Sequence, residues 1–330
     1  MILVTGGAGY IGSHCVLALL EKGLNVTIFD NLSTGHIETI NELKKYGNLN
    51  FYQGDLLNKN DLHRIFTENQ IEAVIHFAAF SQVGESVENP KKYYENNVVG
   101  TINLLDEMLK NQVKRIVFSS TAATYGEPQY IPIDENHPQN PINPYGQTKL
   151  MIEKIMDDYD KAYDLKSVRL RYFNVAGADT KGRIGEWHDI ETHLIPNILK
   201  STFNDAKKFN LFGDDYDTKD GTCVRDYINV EDLVEAHLLA LDYLNQTNKT
   251  DVFNLGTNSG NTVKEVFETC EKVIGKRIAI NIMKKREGDP ASLIADNKKA
   301  LNLLNWQPKK TLEYSVKSAY KWEEKLQKLI

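Results

Sequence analysis

Cysteine is scarce in this 330-residue chain: Cys15, Cys223 and Cys270 are the only three, widely spaced and with no Cys-x-x-Cys. That excludes a disulfide framework or a thiolate zinc site and fits a reducing, cytoplasmic compartment. The eight histidines form no His-Glu-x-x-His, so no metal site is read. No apolar run approaches the roughly 18 residues of a membrane helix, so no membrane partner is expected. The opening Met1–Gly6 carries no basic flank and reads as a buried strand rather than a signal peptide. Basic excess is missing too: 39 Lys and Arg face 45 Asp and Glu, for a formal charge of −6 and a pI near 5.8. No basic domain stands out, which argues against nucleic acid as a partner, whereas a small anionic ligand needs only a few local cations. There is no internal repeat and no low-complexity segment. What is present, 41% hydrophobic and 25% charged residues, is ordinary for a globular protein with one large domain or two unequal ones.

Apolar runs of strand length alternate with helical periodicity through the first half. Ile2–Val4 precedes a helical stretch from Ile11 to Glu21, then Val26–Phe29; later come Ala73–Phe77, a helix from about Tyr93 to Leu109, and Ile116–Phe118. Continuous apolar strands separated by helices predict a parallel sheet covered on both faces, a doubly wound α/β fold of Rossmann type. From Ala176 to Asp226 the alternation weakens into Gly, Asp, Thr and Lys, read as short elements and loops. A strand–helix unit returns at Asp251–Gly256 and Val263–Ile274, and Thr311–Ile330 is an amphipathic helix.

Gly6-Gly7-Ala8-Gly9-Tyr10-Ile11-Gly12 follows the first strand and opens the first helix. It satisfies both GxGxxG and GxxGxxG, the spacing that lets helix N-terminal amides approach a pyrophosphate. Asp30 ends the second strand, eighteen positions after Gly12. A carboxylate there accepts from ribose hydroxyls and repels a 2′-phosphate; Asn31–Gly35 brings no Arg or Lys, so NAD is favoured over NADP.

Tyr145 and Lys149 form Tyr-x-x-x-Lys at the start of a helix, so their side chains share one face. An unperturbed phenol titrates near 10, and a neighbouring ammonium plus a cationic nicotinamide are expected to lower that value enough for base catalysis. The Ile116–Phe118 strand runs into Ser119-Ser120-Thr121, hydroxyls at the carboxyl end of a parallel strand; Thr121 is the candidate to bond the reacting oxygen.

Taken in order, TGGAGYIGSH, FDNLSTG, YQGDL, VIHFAA, VGESVENP, YYENNV, FSSTAATYGE, PYGQTK, LRYFNVAGA, HLIP, DGTCVRDYINV, FNLGT and REGDPA resemble the extended short-chain dehydrogenase/reductase family over nearly the full length. Within it the chain looks like the UDP-glucose (UDP-galactose) 4-epimerases. The resemblance implies cofactor contacts at Tyr10, Ile11, Asp30, Asn31, Asp55, Leu56, Phe77, Ala78, Asn96, Tyr145, Lys149 and Phe173, beside Gly6, Gly9 and Gly12. It places UDP-sugar contacts on Thr121, Asn174, Leu194, Phe212, Arg225, Arg286 and Asp289. The two arginines are forked cations suited to a diphosphate, and Phe212 to packing on uracil. The expected division is an NAD-binding Rossmann domain over residues 1–175 and a smaller α/β nucleotide-sugar domain over 176–330, some segments of which return to the first. A homodimer through the helices Tyr93–Leu109 and Gly146–Tyr163 is implied as well.

Four positions depart from that pattern. Thr121 replaces a serine, Ser81 stands where some members place a lysine near the cofactor, and His193 stands where many have asparagine. Leu293 is intermediate between the large and small residues found at a sugar-pocket position. Sugar 4,6-dehydratases carry Asp-Glu directly after the active-site threonine; this chain has Ala122-Ala123, which disfavours elimination and leaves inversion at C4 through a 4-keto sugar. A 4-epimerase of an N-acetylated, uronic or pentose UDP-sugar stays open, as does a non-catalytic NAD-binding regulator, although such proteins tend to lose the Tyr or Lys kept here.

Overall fold

The apolar runs form strands because their side chains are buried on both faces. β1 (Ile2–Thr5), β2 (Val26–Asp30), β4 (Ala73–His76) and all of β5 (Arg115–Ser119) but its first residue are buried. Together with β3 (Leu49–Gln53), β6 (Lys166–Tyr172) and β7 (Asp251–Leu255) they make one seven-stranded sheet, in the order β7-β6-β5-β4-β1-β2-β3. The pairings from β3 through β6 are all parallel. The computed structural model describes residues 1–203, 208–285 and 290–328, so the expected sugar residues Arg286 and Asp289 lie outside the described residues.

The strand order reverses between β1 and β4, and ligand crevices of doubly wound sheets open beyond the carboxyl ends of strands at such a switch. Helices α1 (Tyr10–Glu21), α2 (Gly100–Lys110) and α3 (Pro144–Tyr163) follow β1, precede β5 and precede β6. One core joins Leu3, Val74, Ile116 and Phe118 of the strands to Leu104, Met108, Ile152 and Met156 of the helices. Each such side chain contributes about 1.5–3 kcal/mol on burial. α3 starts at a defined point: the Asn143 side chain accepts the Gly146 N–H at 2.8 Å and Pro144 fills the first turn, where no N–H partner is needed.

The helix expected from Tyr93 to Leu109 is not uniform. A four-residue α-turn, Pro90–Tyr93, passes into a π-helical stretch, Tyr94–Val99, before α2. The wider turn turns Asn97 inward, where its amide donates to the Phe80 carbonyl at 3.0 Å and its oxygen accepts the Phe80 N–H at 2.9 Å. Such bulges recur at functional sites.

Contacts divide the chain into two units, the first made of Met1–Gly126, Pro138–Arg171 and Val234–Phe253 and the second of Glu127–His137, Tyr172–Leu233 and Asn254–Ile330. In the second, Asn174–Ala176 pairs with Tyr227–Asn229, and Phe209–Phe212 with Ile280–Met283. Val224–Arg225 pairs with both Asn261–Thr262 and Ser292–Leu293. Helices Leu194–Ser201, Val263–Ile274 and Leu312–Leu326 enclose a core of Ile198, Leu199, Phe209, Val266 and Val316. Thr262 and Glu265 form a reciprocal capping box on the second of these helices. Among the described residues no helix is long and apolar enough to cross a membrane.

Candidate active site

Backbone geometry dictates the turn between β1 and α1. Gly6 has φ +73°, and a Cβ there would stand 2.6 Å from the Ala78 nitrogen, in the loop after β4. A Cβ on Gly12 would stand 2.1 Å from the Gly6 oxygen. Gly9 caps α1 and brings no side chain of its own to the first-turn N–H groups, so the bend presents a positively polarised helix end at the switch point. That is a cradle a dinucleotide pyrophosphate fits. Buried Asp30 accepts the Ala8 N–H at 2.9 Å and the Leu32 N–H at 2.8 Å, holding the glycine turn to the end of β2. Burial raises its carboxyl above the usual range, opposed by those two amides. A carboxylate offers about four acceptor sites, so capacity is left for ribose hydroxyls. Asn31 donates to Asp55 at 2.9 Å, Leu56 is buried, and Phe77 stacks obliquely on His237 at 4.7 Å. Tyr10 and Ile11 begin α1, and the Asn96 amide donates to the Asn97 oxygen at 2.9 Å within the π-helical stretch.

The reactive side chains come from two neighbouring elements. Thr121, just past β5, caps a single 3-10 turn, its hydroxyl accepting the Ala123 N–H at 3.2 Å. Thr121 also donates to the Tyr145 phenol from the first turn of α3. One turn on, the Lys149 Nζ lies 5.9 Å from the Tyr145 ring centroid and 4.8 Å from that of Phe118, and donates to the Ser119 carbonyl at 2.8 Å. The expected lowering of the phenol rests on two charges, the ammonium and a bound nicotinamide, and Lys149 by itself does not supply it. Burial raises the Tyr145 phenol, with only the Thr121 bond opposing it. Lys149 is itself pushed down to about 7 by burial, against the pull of Glu153. An ammonium so desolvated and already bonded to a carbonyl is a weak source of field, so a second positive charge is needed beside the phenol.

Sequence reasoning missed the polar groups beneath this set. His76, at the end of β4, is enclosed between the hydroxyls of Thr5 at 2.6 Å and Thr101 at 2.9 Å. Burial and then the Lys149 charge push it down to about 3, so it stays neutral. Glu153, one turn beyond Lys149, accepts Arg171 through both oxygens, at 2.9 and 2.5 Å, and the Ser120 hydroxyl at 2.5 Å. The only signal for these was a polar residue inside an apolar strand or helix face, as with Arg171 in β6.

The expected nucleotide-sugar residues fall in the second unit. Asn174 is exposed, Phe173, Leu194 and Phe212 are half-buried, and buried Arg225 donates to the Val224 carbonyl at 2.8 Å. Leu293 lies opposite Arg225 in the strand pair. Ser81 and His193 are exposed. Glu186, His188, Glu191 and His193 bring four ligand-type atoms within 4.8 Å of one another. Yet His193, bonded to Glu186, is raised to about 9 by its carboxylate neighbours, and Lys200 sits 3.5 Å from Glu191. Those cations already balance the carboxylates without an ion.

A switch-point glycine cradle beside a Thr–Tyr–Lys set defines the class of short-chain dehydrogenases/reductases. The profile of the GDP-mannose 4,6 dehydratase family matches residues 3–319. The UDP-glucose 4-epimerase of Halalkalibacterium halodurans is 53% identical, covering 98% of this chain and 95% of its own. A crystal structure of a UDP-glucose 4-epimerase matches with a TM-score of 0.95 at 47% identity, over 99% of this chain and 98% of that one. The Bifidobacterium longum enzyme, solved with NAD+ and UDP, matches with a TM-score of 0.94 at 40% identity, over 98% of each chain. This chain belongs to the UDP-glucose 4-epimerase family of extended short-chain dehydrogenases/reductases.

Proposed function

We propose that this chain inverts C4 of UDP-galactose and UDP-glucose, with NAD held by the cradle of Gly6, Gly9, Gly12 and Asp30. The observation that carries the reading is the Thr121–Tyr145–Lys149 set at the end of β5, followed by Ala122-Ala123 and hence by no carboxylate suited to eliminating water. Bound NAD supplies a hydride acceptor and donor at C4 and the positive charge that the Tyr145 phenol needs to ionise. Tyr145, as phenolate, takes the C4 hydroxyl proton and returns it after the sugar has presented its other face. Thr121 donates to the phenolate and steadies it at the reacting oxygen. Lys149, anchored on the Ser119 carbonyl, supports the phenolate from one turn below. Phe212 and Arg225 are assigned to the uracil and diphosphate, together with Phe173 at the cofactor and Asn174 and Leu194 at the sugar; Arg286 and Asp289 join them on the resemblance alone. Purified enzyme given UDP-galactose should yield UDP-glucose without accumulating NADH; stoichiometric NADH would overturn the reading.

A homodimer in the cytoplasm completes it. In support, Ile102, Leu109, Met151, Ile155 and Tyr159 on α2 and α3 are only partly buried against the core, an apolar face that a second copy would cover. Light scattering at micromolar protein should return twice the 37.5 kDa chain mass.

A further inference from the structure

Beneath the reactive residues lies an ion pair that the acid–base steps do not use. Glu153 and Arg171 are 2% and 5% exposed and meet through two bonds. Arg171 also donates to the Tyr125 hydroxyl at 2.9 Å, while Arg169, salt-bridged to Asp157 at 2.5 Å, donates to the Glu153 carbonyl at 3.2 Å. Burial works against the Glu153 charge, yet the Arg171 bonds outweigh it and hold the carboxyl below the usual range.

Two features tie this pair to the reaction. Tyr145, Lys149 and Glu153 are spaced four apart on α3 and so share one face. And Glu153 holds the Ser120 hydroxyl, between the Ser119 carbonyl that anchors Lys149 and Thr121, which bonds Tyr145. We propose that Glu153 and Arg171 are positioning residues for the acid–base step: the pair fixes the Ser119–Thr121 segment under Lys149 and Tyr145 and keeps the ground beneath them electrically neutral. This rests on the acid–base role of Tyr145 given above. Replacing a buried pair by apolar groups is often neutral for stability, so stability alone does not explain retaining it.

The other groups facing Tyr145 and Lys149 carry no uncompensated charge, but Glu153 also supports the Lys149 ammonium, so the shifts are read with Lys149 replaced by Met. His76 is neutral, and Tyr93 is bonded to Glu85, which Lys92 neutralises at 2.6 Å. Glu153→Gln leaves Arg171 uncompensated, which favours the phenolate. Arg171→Met leaves Glu153 uncompensated, which disfavours it, less strongly because a lone buried carboxylate tends to take up a proton.

The test is a near-ultraviolet tyrosinate titration of the NAD-loaded enzyme, with the Tyr145→Phe titration subtracted, alongside the pH dependence of kcat with UDP-galactose. With Lys149 replaced by Met, so that only the charge of the pair changes, Glu153→Gln should move the Tyr145 midpoint, and the acid limb of kcat with it, down by about one pH unit. Arg171→Met should move them up by less, and replacing both members of the pair should return them to the starting position. Shifts in the same direction, or none, would overturn the proposal. Ser120→Ala keeps both charges and covers the case in which a single-charge variant does not fold. It should lower kcat about tenfold with KM unchanged, and an unchanged kcat would count equally against the positioning role. Because the titration needs no turnover, a native enzyme that titrates as expected but does not epimerise UDP-galactose would refute the functional reading and leave the positioning claim to be judged on the titration alone.

Discussion

The two ends of the first unit build their sites from different materials. Around β1 and α1 the work is done by backbone: Gly6 and Gly12 are fixed by atoms 2.6 and 2.1 Å from where a Cβ would be. Around β5 and α3 it is done by side chains whose charges are unfavourable where they sit, a Lys149 pushed down to about 7 and a Tyr145 phenol raised by burial. The first region tolerates almost no change of shape, and its one charge, on Asp30, selects the dinucleotide rather than driving a reaction. The second keeps its shape under isosteric change, but its chemistry hangs on electrostatic balance.

The comparison is sharpest at Tyr145→Phe. The ring and its packing stay, so NAD binding by fluorescence should be unchanged, while kcat falls by about 10²–10⁴ with loss of the acid–base group. If kcat held, the second region would have lost its defining residue. Gly12→Ala should do the reverse, costing about 1–3 kcal/mol in thermal or denaturant unfolding, through the clash with the Gly6 oxygen. NAD affinity should drop with it, without a specific effect on the turnover of whatever enzyme remains loaded. Asp30→Ala is smaller: an affinity loss for NAD of about tenfold, as one bonded carboxylate goes, and a narrowed preference over NADP. Comparative titration of the two dinucleotides reads both.

A further effect is on stability, and its sign is fixed. The Lys149 amine in the fold titrates near 7, below the value near 10.4 for an unfolded chain. Between those values the unfolded state binds more protons, so folding stability rises with pH over that window, by at most about 1.4 kcal/mol per pH unit. Lys149→Met should remove that rise and add stability below pH 7, in denaturant titrations at a series of pH values, while impairing turnover.

The same contrast explains what could be read in advance. Glycines at a sharp turn are dictated locally, and unbroken apolar runs such as Ile2–Val4 and Ala73–Ile75 announce strands covered on both faces. The partners of Tyr145 were not local. Glu153 meets Arg171 across eighteen positions and Ser120 across thirty-three, and nothing in a helix or strand pattern couples them. The π-helical stretch within the expected Tyr93–Leu109 helix was hidden for a similar reason. Asn97 looks like a surface residue on helical spacing until the Phe80 backbone, seventeen positions earlier, bonds both ends of its amide. β3 is not legible as a strand because all five of its residues are half-buried or exposed, which leaves no apolar run.

The central claim is that one phenol removes and returns a proton at C4 with no net oxidation. Turnover of UDP-galactose deuterated at C4, with the UDP-glucose product analysed by NMR, tests it most directly. The account requires the deuterium to reappear at C4 of the inverted sugar, with none released to water and no NADH accumulating. Label lost from C4, or a dehydrated 6-deoxy product, would contradict it.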